Sequence, residues 1–169
     1  MKKIIIIGAG AMGSAFTVPC LENKNEVTLI GTHLEDELIN NIQLNKNFHP
    51  ALNIELPAKL KVEKYERLKS ILEGGVDIIV AGVSSIGIAW FVDQIAKNYK
   101  KNLPIILLTK GLAIEDNELI TLSDKIKKLL YQKGHEEVNV SAIKGPCLAA
   151  GLANKMRTGT VIANPNIKE

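Results

Sequence analysis

Four consecutive isoleucines, Ile4 to Ile7, run without a break into Gly8-Ala9-Gly10-Ala11-Met12-Gly13. Four β-branched side chains in a row favour extended backbone and leave no polar face. A strand built from them must be covered on both sides, the situation of a central strand in a parallel sheet. The glycines after it mark a tight turn into the helix expected from about Ala11 to Glu22. A layered α/β domain follows from these ten residues more directly than from any other part of the chain.

The rest of the sequence repeats the alternation. Apolar runs at Val27 to Ile30, Val76 to Val80, Ile105 to Leu108, Val138 to Ile143 and Thr160 to Ala163 read as strands. Segments of helical period separate them: 34–44, with Leu34, Leu38 and Ile42 on one face, then about 64–72, 86–99, 118–131 and 146–156. No hairpin signal stands out between strands, and Asn45 to Leu60 reads as an irregular excursion. The expected fold is a doubly wound, mostly parallel α/β sheet of the Rossmann dinucleotide-binding type, in one domain over residues 1–169.

In such a sheet, ligands bind beyond the carboxyl ends of the strands, so chemistry is sought just after each one. G-x-G-x-x-G that ends a buried strand and opens a helix is a phosphate-binding turn. Gly8 allows the turn, Gly10 lets the backbone approach a pyrophosphate, and Gly13 lets helix and strand close up. Ala11 and Met12 then lie at the helix N-terminus, whose N–H groups and partial positive charge suit phosphate. The expected cofactor is therefore NAD or NADP.

The second strand runs into Gly31-Thr32-His33, with no acid at the strand end where an NAD site usually has one; Glu35 and Asp36 come later. This reads as tolerance of, and preference for, NADP. Thr32 would donate to a 2′-phosphate and His33 would bond it or stack on adenine, or both would merely cap the next helix. Val83-Ser84 follows the strand at 76–80, where a nicotinamide ribose would lie, although Ser before a helix is also a common cap. Lys110-Gly111 offers an ammonium for a substrate phosphate or carboxylate, with a surface lysine as the plain alternative. Gly145-Pro146-Cys147 reads as a further helix N-terminus for an anion, with Cys147 a small lining residue.

These landmarks resemble the N-terminal domain of the NAD(P)-dependent glycerol-3-phosphate dehydrogenases. The similarity rests on Gly8 to Gly13, His49-Pro50 followed by Leu56-Pro57, Val83-Ser84, Lys110-Gly111, and Gly145-Pro146 with Ala149. It implies hydride transfer between NAD(P)H and dihydroxyacetone phosphate, giving sn-glycerol 3-phosphate for lipid synthesis. It implies that Ala11, Met12, Thr32, His33 and Ala149 line the dinucleotide. Lys110 would stand where cofactor and substrate meet, with Gly145 and Cys147 at the substrate. Cys147 replaces the family's usual Ser, Ala150-Gly151 its usual Glu, and Arg157-Thr158 its Pro-Thr pair. The catalytic Lys of the family lies in a helical C-terminal domain beyond this chain, so little turnover is expected from these residues alone. The cofactor domain of a related two-domain reductase, of ketopantoate reductase or 3-hydroxyacid dehydrogenase type, and a stand-alone nucleotide-binding module remain alternatives.

Composition narrows the classes further. A formal charge of +3 from 21 basic and 18 acidic residues gives no basic stripe for nucleic acid. Lys100-Lys101 and Lys125, Lys127, Lys128 read as solvated lysines. Met1-Lys2-Lys3 and the isoleucines end at Gly8, too short for a signal peptide, and no run is long enough for a membrane helix. Two cysteines in no metal-ligand spacing fit a reducing cytoplasm, with no metal. A homodimer is compatible with the sequence, and His49 and His135 stand alone.

Overall fold

The computed structural model describes residues 1–100 and 103–166. In chain order the elements are β1 (Lys3–Ile7), α1 (Ala11–Glu22), β2 (Glu26–Ile30), α2 (Asp36–Leu44), β3 (Phe48–His49), β4 (Ile54–Glu55) and β5 (Lys61–Glu63). A 3-10 turn (Tyr65–Arg67) leads into α3 (Leu68–Glu73), followed by β6 (Ile78–Ala81), α4 (Ile88–Ala96) and β7 (Ile105–Leu107). The chain continues through β8 (Leu112–Glu115), β9 (Glu118–Thr121), α5 (Leu122–Gln132), β10 (Val140–Lys144), α6 (Ala149–Ala153) and β11 (Val161–Ala163).

Seven strands form the main sheet in the order β11-β10-β7-β6-β1-β2-β5. All its pairings are parallel except β10 with β11. The chain builds outward from β1 through β2 to β5, then returns to the other side of β1 at β6. The order of strands therefore switches between β1 and β6, which opens a crevice at their carboxyl ends.

The isoleucine run explains why β1 is central. Ile5 and Ile7 pack into one core with residues of α3, α4 and α5, including Leu72, Phe91, Ile95 and Ile126. Ile4 and Ile6 point the other way, into a core with Ala15, Ile39 and Ile42 of α1 and α2 and Ala153 of α6. Alternate side chains of one strand thus serve two cores, as the period of two requires.

Several expected boundaries move. The segment expected to be helical from 118 begins instead as β9, which pairs antiparallel with β8. Asp116 and Asn117 both have positive φ, +51° and +63°, forming a two-residue hairpin turn of the primed type. The excursion at 45–60 contains a second small hairpin, β3-β4. Leu34 precedes α2 and is 82% exposed, so Ile39 joins Ile42 as the buried residue of that helix. The helix expected at 146–156 shrinks to five residues, because Gly145 takes φ +99° and Leu148 stays extended. Helix α4 is likewise shorter than 86–99. Of the paired lysines, Lys100 is exposed, whereas Lys101 lies outside the described residues.

Candidate functional site

The crevice at the β1/β6 switch holds a cleft of about 420 Å3, within the roughly 300–1,000 Å3 of small-molecule sites. Gly10, Ala11 and Met12 form one wall, and Thr32, His33 and Glu35 another. Val83, Ser84 and Trp90 close the third side. Seven residues singled out from the sequence thereby meet in one place: Gly10, Ala11, Met12, Thr32, His33, Val83 and Ser84.

Gly8 and Gly13 shape the turn without lining the cleft. Gly8 has φ +109°, and a Cβ there would sit 2.7 Å from the Gly82 backbone. A Cβ on Gly13 would lie 2.0 Å from the Gly8 carbonyl oxygen, so no larger residue lets α1 approach β1 this closely. Gly10 differs: a Cβ there would meet only the Glu35 carboxylate, at 3.9 Å. It would fill the mouth of the cleft, the space that a pyrophosphate needs above the helix end. Ser14 is the first residue of α1 whose N–H reaches back to Gly10 O. The Ala11, Met12 and Gly13 N–H groups before it have no intrahelical acceptor and can serve an anion. These residues fit a dinucleotide.

The Ala9 peptide between the glycines is held from several directions. Its carbonyl accepts from Ser14 Oγ at 2.8 Å and contacts His49 Nε2 at 3.0 Å. His49 is buried, and its Nδ1 accepts from Leu52 N–H. That assigns the ring proton to Nε2, which donates to Ala9 O. His49 is thus a brace from the β3-β4 hairpin to the glycine turn.

The Ala9 N–H donates to Glu35 Oε2 at 3.0 Å, and the same oxygen accepts from Thr32 N–H at 2.7 Å. This corrects the reading that no acid stands at the end of β2. Glu35 immediately precedes α2, and its side chain turns back over the strand end. Trp90, which sequence reasoning missed, lies 5.0 Å centroid to centroid from His33, and Tyr65 meets both rings edge-on at 6.4 Å. Its place in helix α4, far along the chain from His33, left no local signal.

A family model described as "NAD-dependent glycerol-3-phosphate dehydrogenase N-terminus" matches residues 3–169. The chain belongs to this family. It is 33% identical over 163 residues, 96% of this chain and 47% of the relative, to the NADP(+)-dependent glycerol-3-phosphate dehydrogenase of Archaeoglobus fulgidus. It is 31% identical over 172 residues to the glycerol-3-phosphate dehydrogenase [NAD(P)+] of Mesoplasma florum, covering 99% of this chain and 48% of the relative. Among solved structures, the glycerol-3-phosphate dehydrogenase of Coxiella burnetii superposes with a TM-score of 0.79 at 23% identity, over 99% of this chain and 48% of that one. The chain spans about half the length of the curated relatives it matches.

The remaining family landmarks gather beside the cleft rather than in it. Lys110 Nζ donates to the carbonyls of Gly145 at 2.8 Å and Cys147 at 3.2 Å. Thr109 Oγ1 donates to Val83 O, tying this group to the cleft wall. Cys147 is 1% exposed and belongs to the core that holds Ile4 and Ile6, so its carbonyl rather than its thiol faces Lys110. Pro146 lies outside α6, which at five residues replaces the longer anion-binding helix expected there. Ala149 packs against the same core at the start of α6. His135 contacts Ala96 O at 2.7 Å, far along the chain from the cleft. No group of three or more potential metal ligands occurs among the described residues. No helix among them is long and apolar enough to cross a membrane.

Proposed function

We propose that residues 1–169 form the dinucleotide-binding domain of a glycerol-3-phosphate dehydrogenase, an enzyme moving hydride between NAD(P)H and dihydroxyacetone phosphate. The observation that carries this is the cleft at the β1/β6 switch, where the glycine turn, the end of β2 and the end of β6 converge on one opening. The α1 N-terminus holds the pyrophosphate through backbone N–H groups. His33 and Trp90 offer flat rings to the adenine end, while Val83 and Ser84 face the ribose toward the nicotinamide. The bound nicotinamide supplies the hydride.

Lys110 is proposed to stand where cofactor and substrate meet, beside Gly145 and Cys147. Its ammonium is preorganised by two carbonyls and presents its charge to a phosphorylated substrate. Ala149 is proposed at the edge of the dinucleotide. The catalytic Lys belongs, by family resemblance, to a helical second domain outside these residues, so this domain binds cofactor with little turnover. The exposed Leu148, Met156, Val161 and Ile162 offer apolar surface for that domain or for a second copy of the chain. The reading includes a cytoplasmic location, in keeping with the free thiols Cys20 and Cys147.

Calorimetric titration of the purified chain with NADH and NADPH tests the proposal. Micromolar binding of either is expected. A folded chain that binds neither would reject the assignment of this cleft as a cofactor site.

A further inference from the structure

We infer that Glu35 makes the adenosine end of the cleft select an unphosphorylated ribose, so that this chain prefers NADH to NADPH. The inference rests on the cofactor reading above and reverses what the sequence alone implies about the 2′-phosphate.

Three observations carry it. First, the Glu35 carboxylate lines the cleft at the end of β2, where the doubly wound fold lays the adenosine ribose. Oε2 is anchored by the Ala9 and Thr32 N–H groups, which hold the side chain in one orientation. Oε1 faces the Gly10 side of the cleft, 3.9 Å from where a Cβ on Gly10 would stand. An anionic acceptor in that place accepts hydrogen bonds from the 2′- and 3′-hydroxyls of a ribose and repels a phosphate dianion at the 2′ position.

Second, the backbone donors at this end of the cleft are already engaged. The Ala9 and Thr32 N–H groups are both bonded to Glu35 Oε2. Third, no Lys or Arg is among the described residues lining the cleft. His33 is the one basic ring there, and it lies against Trp90 and Tyr65. A site built for a 2′-phosphate needs a Lys or Arg to offset the carboxylate, and neither is among the described residues lining this one.

The test compares NADH and NADPH by calorimetry on wild type and Glu35→Gln. ADP-ribose and its 2′-phosphate serve as second probes, to confine the effect to the adenosine half. NADH is expected to bind at least roughly tenfold tighter than NADPH, with the preference shrinking as salt rises. Glu35→Gln keeps an oxygen for the Ala9 and Thr32 N–H groups but loses the charge, and should bring the ratio close to one. NADPH binding as tightly as NADH to wild type overturns the inference and leaves the cofactor reading intact. Binding of neither dinucleotide overturns both. The wild-type ratio decides between these outcomes even if the Gln variant folds poorly.

Discussion

At the residue scale, the site is governed by which peptide groups are already bonded before a ligand arrives. Ala9 is the clearest case, with its N–H given to Glu35 and its carbonyl shared by Ser14 and His49. The peptide plane is thereby fixed, and the following N–H groups are aimed into the cleft. Removing the imidazole should loosen that plane and leave a buried void. His49→Ala is expected to destabilise the chain by about 2–4 kcal/mol in urea unfolding. It should also weaken NADH binding several-fold, although His49 does not line the cleft. Unchanged affinity at reduced stability would make His49 purely a core residue. The glycines of this site were legible in the sequence because their role is a property of the backbone. Glu35 was not, because its position depends on a side chain turning back toward a strand end, which residue spacing does not encode.

At the element scale, β1 and α1 could be read almost to the residue, since a continuous apolar run marks the strand and the glycine turn after it fixes where the helix starts. The hairpins could not be read in this way. Glu118 to Thr121 continues smoothly into the helical pattern of α5, and the turn signal before it is Asp116-Asn117 rather than a glycine pair. The turn nevertheless sets the pairing. Glu115 and Glu118 face each other across it, and Lys128 relieves their repulsion through bonds to Glu115 at 3.3 Å and Asp116 at 3.1 Å. Asn tolerates positive φ better than most residues. Replacing Asn117 by Ala should cost about 1 kcal/mol, seen as a lower urea midpoint and faster amide exchange in β8 and β9. Asn117→Gly should leave both unchanged or improved. Equal behaviour of the two variants would argue against a primed turn.

At the scale of the whole molecule, stability should fall on the alkaline side for an identifiable reason. Burial pushes the Cys20 thiol from its usual 9.0 to about 11, because a thiolate is poorly solvated on the packed side of α1. Below pH 9 the thiol is protonated whether the chain is folded or not, so it contributes no slope. Between pH 9 and 11 the unfolded chain loses this proton first, and stability drops by at most about 1.4 kcal/mol per pH unit. Urea unfolding of wild type and Cys20→Ala across that window should show the extra slope only in wild type. Parallel curves would mean that Cys20 is better solvated than its packing implies.

Residue order was enough to specify the sheet, its central strand and the glycine turn that follows it. These are local consequences of hydrophobic period and of positions that only glycine can occupy. Packing in three dimensions was needed to bring Glu35 to the end of β2, Trp90 and Tyr65 to His33, and Lys110 onto the Gly145 and Cys147 carbonyls. Each of those joins residues from separate elements or turns a side chain back along the chain. Such contacts depend on how the elements pack, which no stretch of sequence specifies alone.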